Sequence, residues 1–391
     1  MWSESHFELI NRYYASLARL GQKSVTVIAG EIPWSGQRCF RDRNYPSYLF
    51  EHSIIPVYRE HDGTLHCDFT NLDRLLALAN WHGIDQEIEL FGLLNIWTDE
   101  EFGFGKVAPN APDAIRVRCY DKAEKTFTYL RSVPDLQAYI RLLHDHFEYR
   151  GVLERVRIAA DEPADLHLFR ERIAFLREIA PGFKYSVAIN HFEFMEDAPP
   201  DLVDAVPILP LACKDPGLTA ALAQKLRLQG GKLLFYVCCW PPIPNTFLHS
   251  PLVETEVLGW LTHALNLDGF LRWAFCLWPA TPWSRVSWRS PLWPAGDMYF
   301  VLPGLDGAPV ETLRYEALRA AIQDYELLKL VERILPAEAA SNVIKQALGR
   351  ILKAPLERFV ELDQVAADNL YSVDPSDFAE ARRLLLAALD T

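Results

Sequence analysis

Residues 156–163 read Val-Arg-Ile-Ala-Ala-Asp-Glu-Pro, so a largely apolar run releases two carboxylates, Asp161 and Glu162, just before Pro163. Such a pair can move protons and offset developing positive charge. In a regular strand neighbouring side chains face opposite sides. Both serve one pocket only if the chain bends there, and Pro163 disfavours helical geometry at Glu162. A structural alternative stands beside this one: Asp161 or Glu162 caps a helix that begins near Pro163.

Tryptophan supplies a second signal. The chain holds 11, and seven fall between Trp240 and Trp293. Trp273, Trp278, Trp283, Trp288 and Trp293 recur every five residues, which is neither a helix nor a strand period. Trp240 and Trp278 close apolar runs. Indole faces grouped at strand ends suit the C–H faces of sugar rings; the alternative is that they fill the core.

The elements that must carry these residues alternate. Strand-like runs are expected at 25–30, 88–97, 156–161, 185–190, 206–211, 233–239, 270–278 and 298–303, and amphipathic helices at 72–82, 134–149, 164–180, 218–229, 253–265 and 313–331. Eight βα repeats predict an α/β fold, a (β/α)8 TIM-type barrel with its active site at the C-terminal strand ends. A doubly wound sheet is the rival, but no Gly-rich phosphate turn follows an early strand. Gly103-Phe104-Gly105 lacks the third glycine. Hairpins are expected at 57–68 and 115–131, as insertions. We expect a barrel over 1–333 and, over 334–391, a helical C-terminal extension packed on it, with helices at 337–353, 356–369 and 375–389.

Composition excludes several functions. With 39 Lys and Arg against 52 Asp and Glu, the net charge is −13, which argues against a nucleic-acid partner. No stretch is apolar enough to span a membrane. No signal peptide is read at the N-terminus, and seven cysteines without a C-x-x-C pair suit a reducing compartment, so a cytoplasmic location is expected. His144 and His146 lie two apart and cannot share a helix face, so no metal is expected. Asp99-Glu100-Glu101 reads as a solvated loop. The charges around Arg314, Glu316, Arg319, Asp324 and Glu326 read as helix-surface pairs.

Taken in order, Phe235-Tyr236-Val237-Cys238-Cys239, Gly269-Phe270-Leu271-Arg272-Trp273, Pro294-Ala295-Gly296-Asp297, Pro303-Gly304-Leu305-Asp306-Gly307 and Leu313-Arg314-Tyr315-Glu316, together with Asp161-Glu162-Pro163, resemble the catalytic domain of glycoside hydrolase family 123. The resemblance runs over residues 1–333. It implies a (β/α)8 barrel that releases β-linked N-acetylgalactosamine from glycans or glycolipids, with retention and without a cofactor. It also implies substrate assistance, in which the sugar's 2-acetamido oxygen, not an enzyme carboxylate, attacks the anomeric carbon to give an oxazolinium. Glu162 would then be acid and base, and Asp161 would orient the acetamide. Tyr236 would bond the acetamide oxygen, and Trp240, Trp273, Trp278, Trp97 and Asn190 would bind the sugar. Two departures are visible. Family members commonly carry an N-terminal β-sandwich, whereas here a helix is expected from residue 7. Phe235 also stands where a tryptophan is expected. The rival activities are a β-N-acetylglucosaminidase of the same mechanism, differing at one hydroxyl, and a non-catalytic glycan-binding barrel, which would not need the carboxylate pair.

Overall fold

A computed structural model of the chain describes residues 1–32, 52–94, 106–199, 201–278, 282–283 and 293–390. The expected sites Trp97 and Asp99-Glu100-Glu101, and also Trp288, lie outside these residues. The chain divides into two compact units, Met1–Val203 and Asp204–Thr391.

The first unit holds β1 (Ser24–Ile28), β2 (Glu87–Phe91), β3 (Val156–Asp161) and β4 (Lys184–Ile189). They pair in parallel in that order, with Ile88 opposite Val25 and Val156, and Asp161 opposite Ala188. Helices Thr70–Trp81, Val133–Tyr149 and Leu166–Ile179 separate them. In β3 every residue but the last is buried, as a strand covered on both faces should be. Gly92 follows β2 at φ +99°, and a Cβ there would sit 2.5 Å from the backbone nitrogen of Gly30. Only glycine permits both that conformation and that approach.

The expected hairpins form at Val57–Arg59 with Leu65–Cys67 and at Arg118–Asp121 with Thr126–Tyr129. They also join each other: Val57–Arg59 pairs in parallel with Arg118–Asp121, which makes one four-stranded sheet. Local patterning does not show this, because the pairing closes some 60 residues of chain.

The boundary between the units falls inside β5 (Leu202–Pro207); β6 (Lys232–Tyr236) and β7 (Gly269–Leu271) follow. β6 pairs in parallel with β5 and with β7. Helices Leu209–Lys214, Pro216–Leu228 and Leu252–Ala264 lie between them in sequence. Among the described residues, seven parallel strands with intervening helices make this a mixed α/β fold of the TIM-type (β/α)8 class.

Three expected elements are corrected. The strand expected at 206–211 lies at Leu202–Pro207. Pro210 opens the next helix instead, where its missing N–H costs nothing. The strand expected at 298–303 is a short antiparallel pair, Val301–Pro303 with Pro309–Glu311, that turns at Gly307. The helix expected at 356–369 is two 3-10 turns, Leu356–Arg358 and Ala367–Asn369.

In the second unit, helices Leu252–Ala264 and Leu313–Ile334 approach so closely that a Cβ on Gly259 would stand 2.0 Å from the Ala321 carbonyl oxygen. The terminal helices Ala337–Ile351 and Pro375–Leu389 pack on this pair. Arg382 binds the buried Asp324 at 2.5 and 2.8 Å and also binds Glu256, while the Trp260 indole donates to Asp324 at 2.9 Å. Burial pushes the Asp324 carboxyl up, and Arg382 and Trp260 pull it back. Asp324 and Arg314 are thus buried groups, not the surface pairs expected from their helical spacing; Glu316–Arg319 is a surface pair. Arg382→Ala strips the cation from Asp324. It is expected to lower unfolding free energy by about 3 kcal/mol, the low end for a buried carboxylate because Arg382 is itself 31% exposed. Urea unfolding of the two proteins measures this.

Candidate active site

Asp161 ends β3, and Glu162 follows with φ +45°, a left-handed conformation that non-glycine residues rarely adopt. The strand alternation that would send the two side chains to opposite faces therefore ends at Glu162. Its backbone N–H still donates to Ala188 O at 3.0 Å, so the bend is held against β4. Strain kept at a strand end is a recurring mark of functional positions.

The capping alternative is removed. Helix Leu166–Ile179 is capped by Asp165, whose Oδ1 accepts from Leu168 N at 2.9 Å. Neither Asp161 nor Glu162 is needed for that. Asp165→Ala is expected to cost about 1 kcal/mol of stability, read from the shift of a denaturant midpoint.

Asn190, just past the end of β4, donates from Nδ2 to Glu162 Oε2 at 3.1 Å. Two adjacent parallel strands therefore bring one carboxylate and one amide together at their C-terminal ends. Both carboxylates are half-buried, and Ala159 and Ala160 just before them are buried.

In the second unit, Tyr236 is the last residue of β6 and is only 4% exposed. The turn behind it, 237–245, is tied from several sides. Asn245 Nδ2 donates to Cys238 O at 3.0 Å and Pro241 O at 2.6 Å. Arg272, just past β7, donates to the carbonyls of Val237 and Cys238. Its Nη2 also meets Asp297 Oδ1 at 2.6 Å, while Asp297 Oδ2 accepts from the Trp273 indole at 3.1 Å. Burial pushes the Asp297 carboxyl up, against the pull of Arg272 and of the indole N–H.

Arg314 grips the carbonyls of Thr246, Gly296 and Tyr299 at 2.6, 3.0 and 2.6 Å, and its burial lowers its pKa to about 10. Trp240 donates its indole N–H to Asp363. Trp278 is half-buried and donates to Val301 O at 2.9 Å. The structure thus links Asn190 to Glu162 in one unit, and the Trp240 turn to Trp273 through Arg272 and Asp297 in the other. Arg272, Asp297, Asn245 and Asp363 were not singled out from the sequence. Only the motifs containing Arg272 and Asp297 pointed towards them.

Among the described residues, one group has metal-ligand geometry: His144, Asp145 and Glu148, whose ligand atoms lie within 4.8 Å of one another. His144 Nε2 contacts Pro181 O and His146 contacts Asp73, so these histidines are tied into the fold. Among the described residues no helix is long and apolar enough to cross a membrane.

Comparison with known proteins follows the same line. The family model described as glycoside hydrolase 123, catalytic domain, matches residues 1–331. No curated protein matches the chain. Among solved structures, a family 123 glycoside hydrolase from Clostridium perfringens, studied for glycolipid glycan hydrolysis, aligns over 100% of this chain with TM-score 0.69 and 18% identity. This chain spans 65% of that structure's length. A glycoside hydrolase family 5 protein from Bacteroides vulgatus aligns at TM-score 0.40 and 11% identity, over 84% of this chain and 64% of that one. With the bent carboxylate pair at the end of β3 and a catalytic-domain match over most of its length, the chain belongs to glycoside hydrolase family 123.

Proposed function

We propose that the protein is a retaining, exo-acting β-N-acetylgalactosaminidase that works on glycans or glycolipids by substrate assistance. The observation that carries this reading is the Asp161-Glu162 pair, turned out of β3 by a left-handed residue, while Asp165 caps the helix that follows.

In the first step the acetamido oxygen of the substrate attacks C1 as the C1–O glycosidic bond breaks. Glu162 delivers its proton to the departing oxygen, and an oxazolinium forms. Asp161, ionised, accepts the acetamide N–H and offsets the positive charge growing on that group. In the second step water attacks C1, Glu162 takes its proton, and the bond to the acetamide oxygen breaks. Two inversions at C1 amount to retention. Asn190 holds the Glu162 carboxylate from the side. Tyr236 is assigned to the acetamide oxygen, fixing the attack angle, and Trp240, Trp273 and Trp278 to the sugar faces, with Trp97 as a further candidate.

The test is hydrolysis of aryl β-glycosides of N-acetylgalactosamine, N-acetylglucosamine and galactose side by side. Turnover of the first and none of the galactoside, which lacks the internal nucleophile, is expected. Rapid turnover of the galactoside sinks substrate assistance, and preference for the gluco sugar moves the specificity to N-acetylglucosamine.

A further inference from the structure

We propose that the C-terminal segment, which lies beyond the family's matched residues, takes part in holding the substrate, with Asp363 as the positioning residue for Trp240. The proposal rests on the reading above that Trp240 faces the sugar. Its basis is a contact across 123 residues of sequence: the Trp240 Nε1–H is shared between Asp363 Oδ1 and Oδ2, at 3.2 Å each. A carboxylate that accepts symmetrically fixes the direction of the indole N–H, and a charged acceptor makes the bond stronger than a neutral one. Among the described residues this is the only side-chain hydrogen bond of Asp363.

The loop that presents Asp363 is built, not loose. Its ends are clamped by Lys353 N to Leu370 O at 3.0 Å and Ser372 N to Ile351 O at 2.7 Å. Phe359, Leu362, Leu370 and Tyr371 are fully or almost fully buried, so Asp363 follows directly on a core anchor while remaining exposed itself.

The Trp240 turn has its own backbone ties. Glu254 Oε2 accepts from Asn245 N at 3.2 Å, and Asn245 in turn holds the carbonyls of Cys238 and Pro241. The backbone of the turn is therefore set by Asn245, and the free edge of its indole by Asp363. Without Asp363 the ring keeps its attachment but loses its orientation.

The experiment compares Asp363→Ala, Asp363→Asn, Trp240→Phe, Trp240→Ala and Glu162→Gln on an aryl β-N-acetylgalactosaminide. Asp363→Ala is expected to raise KM about tenfold, with kcat within about twofold, the size of one lost charged hydrogen bond. Asp363→Asn keeps an oxygen acceptor and is expected to restore most of the affinity. In the Trp240→Phe background, which has no N–H, Asp363→Ala is expected to add nothing. The thermal midpoint is expected to stay put, since the residue is exposed.

An unchanged KM in Asp363→Ala while Trp240→Ala raises it overturns the proposal. So does a full Asp363→Ala effect in the Trp240→Phe background, or an unchanged KM in Trp240→Ala. The catalytic reading fails separately, if Glu162→Gln cleaves a natural oligosaccharide linkage at the wild-type rate.

Discussion

Glu162→Gln is expected to slow hydrolysis of a natural oligosaccharide linkage by about 10²–10⁴-fold, the usual worth of a positioned acid–base group. The loss depends on how badly the leaving oxygen needs a proton. A sugar alkoxide is a poor leaving group, so the full loss is expected there. A nitrophenolate departs almost unaided, so the first step of an aryl glycoside is expected to lose far less. Equal losses on both substrate types would remove Glu162 from the acid role.

Asp161→Asn is expected to behave differently. Under the proposed mechanism it removes charge next to the acetamide, which attacks whatever the leaving group is. A loss on the order of 10²–10³ in kcat is expected, comparable with deleting one preorganised electrostatic contact. It should fall on aryl and natural substrates alike. The decisive quantity is the ratio of the two rates, which Glu162→Gln changes and Asp161→Asn leaves constant. Wild-type turnover in the asparagine variant would leave the pair without its division of roles.

Much of the fold is legible in the sequence alone. The strand 156–161 has the ends its pattern predicts, because an unbroken buried run bounded by acids and a proline leaves few alternatives. Ser132 and Asp374 are residue types that cap helices, and both accept a backbone N–H at the start of the helices that follow them. The misreadings share a cause. Residues 206–211 are apolar enough for a strand or a buried helix, and periodicity cannot separate the two in so short a run. Residues 356–369 have helical spacing but wrap as two single turns that bury Phe359 and Leu362.

The candidate site was legible where its residues are neighbours in sequence, as at 161–162. It was not legible where distant segments meet. The charges of Arg314 and Asp324 looked like surface pairs because spacing alone does not tell which face of a helix is covered. Asn190 could be named, but its bond to Glu162 depends on the register of β3 against β4.

The placement of the helix cap at Asp165 bears on what can be made from this protein. Because folding of that helix asks nothing of Glu162, a Glu162→Gln version should still assemble and, on the proposed function, bind its sugar. Such a protein would be a lectin by engineering. Immobilised, it is then expected to retain the sugar that the proposed function assigns, and its elution profile would report recognition uncoupled from cleavage.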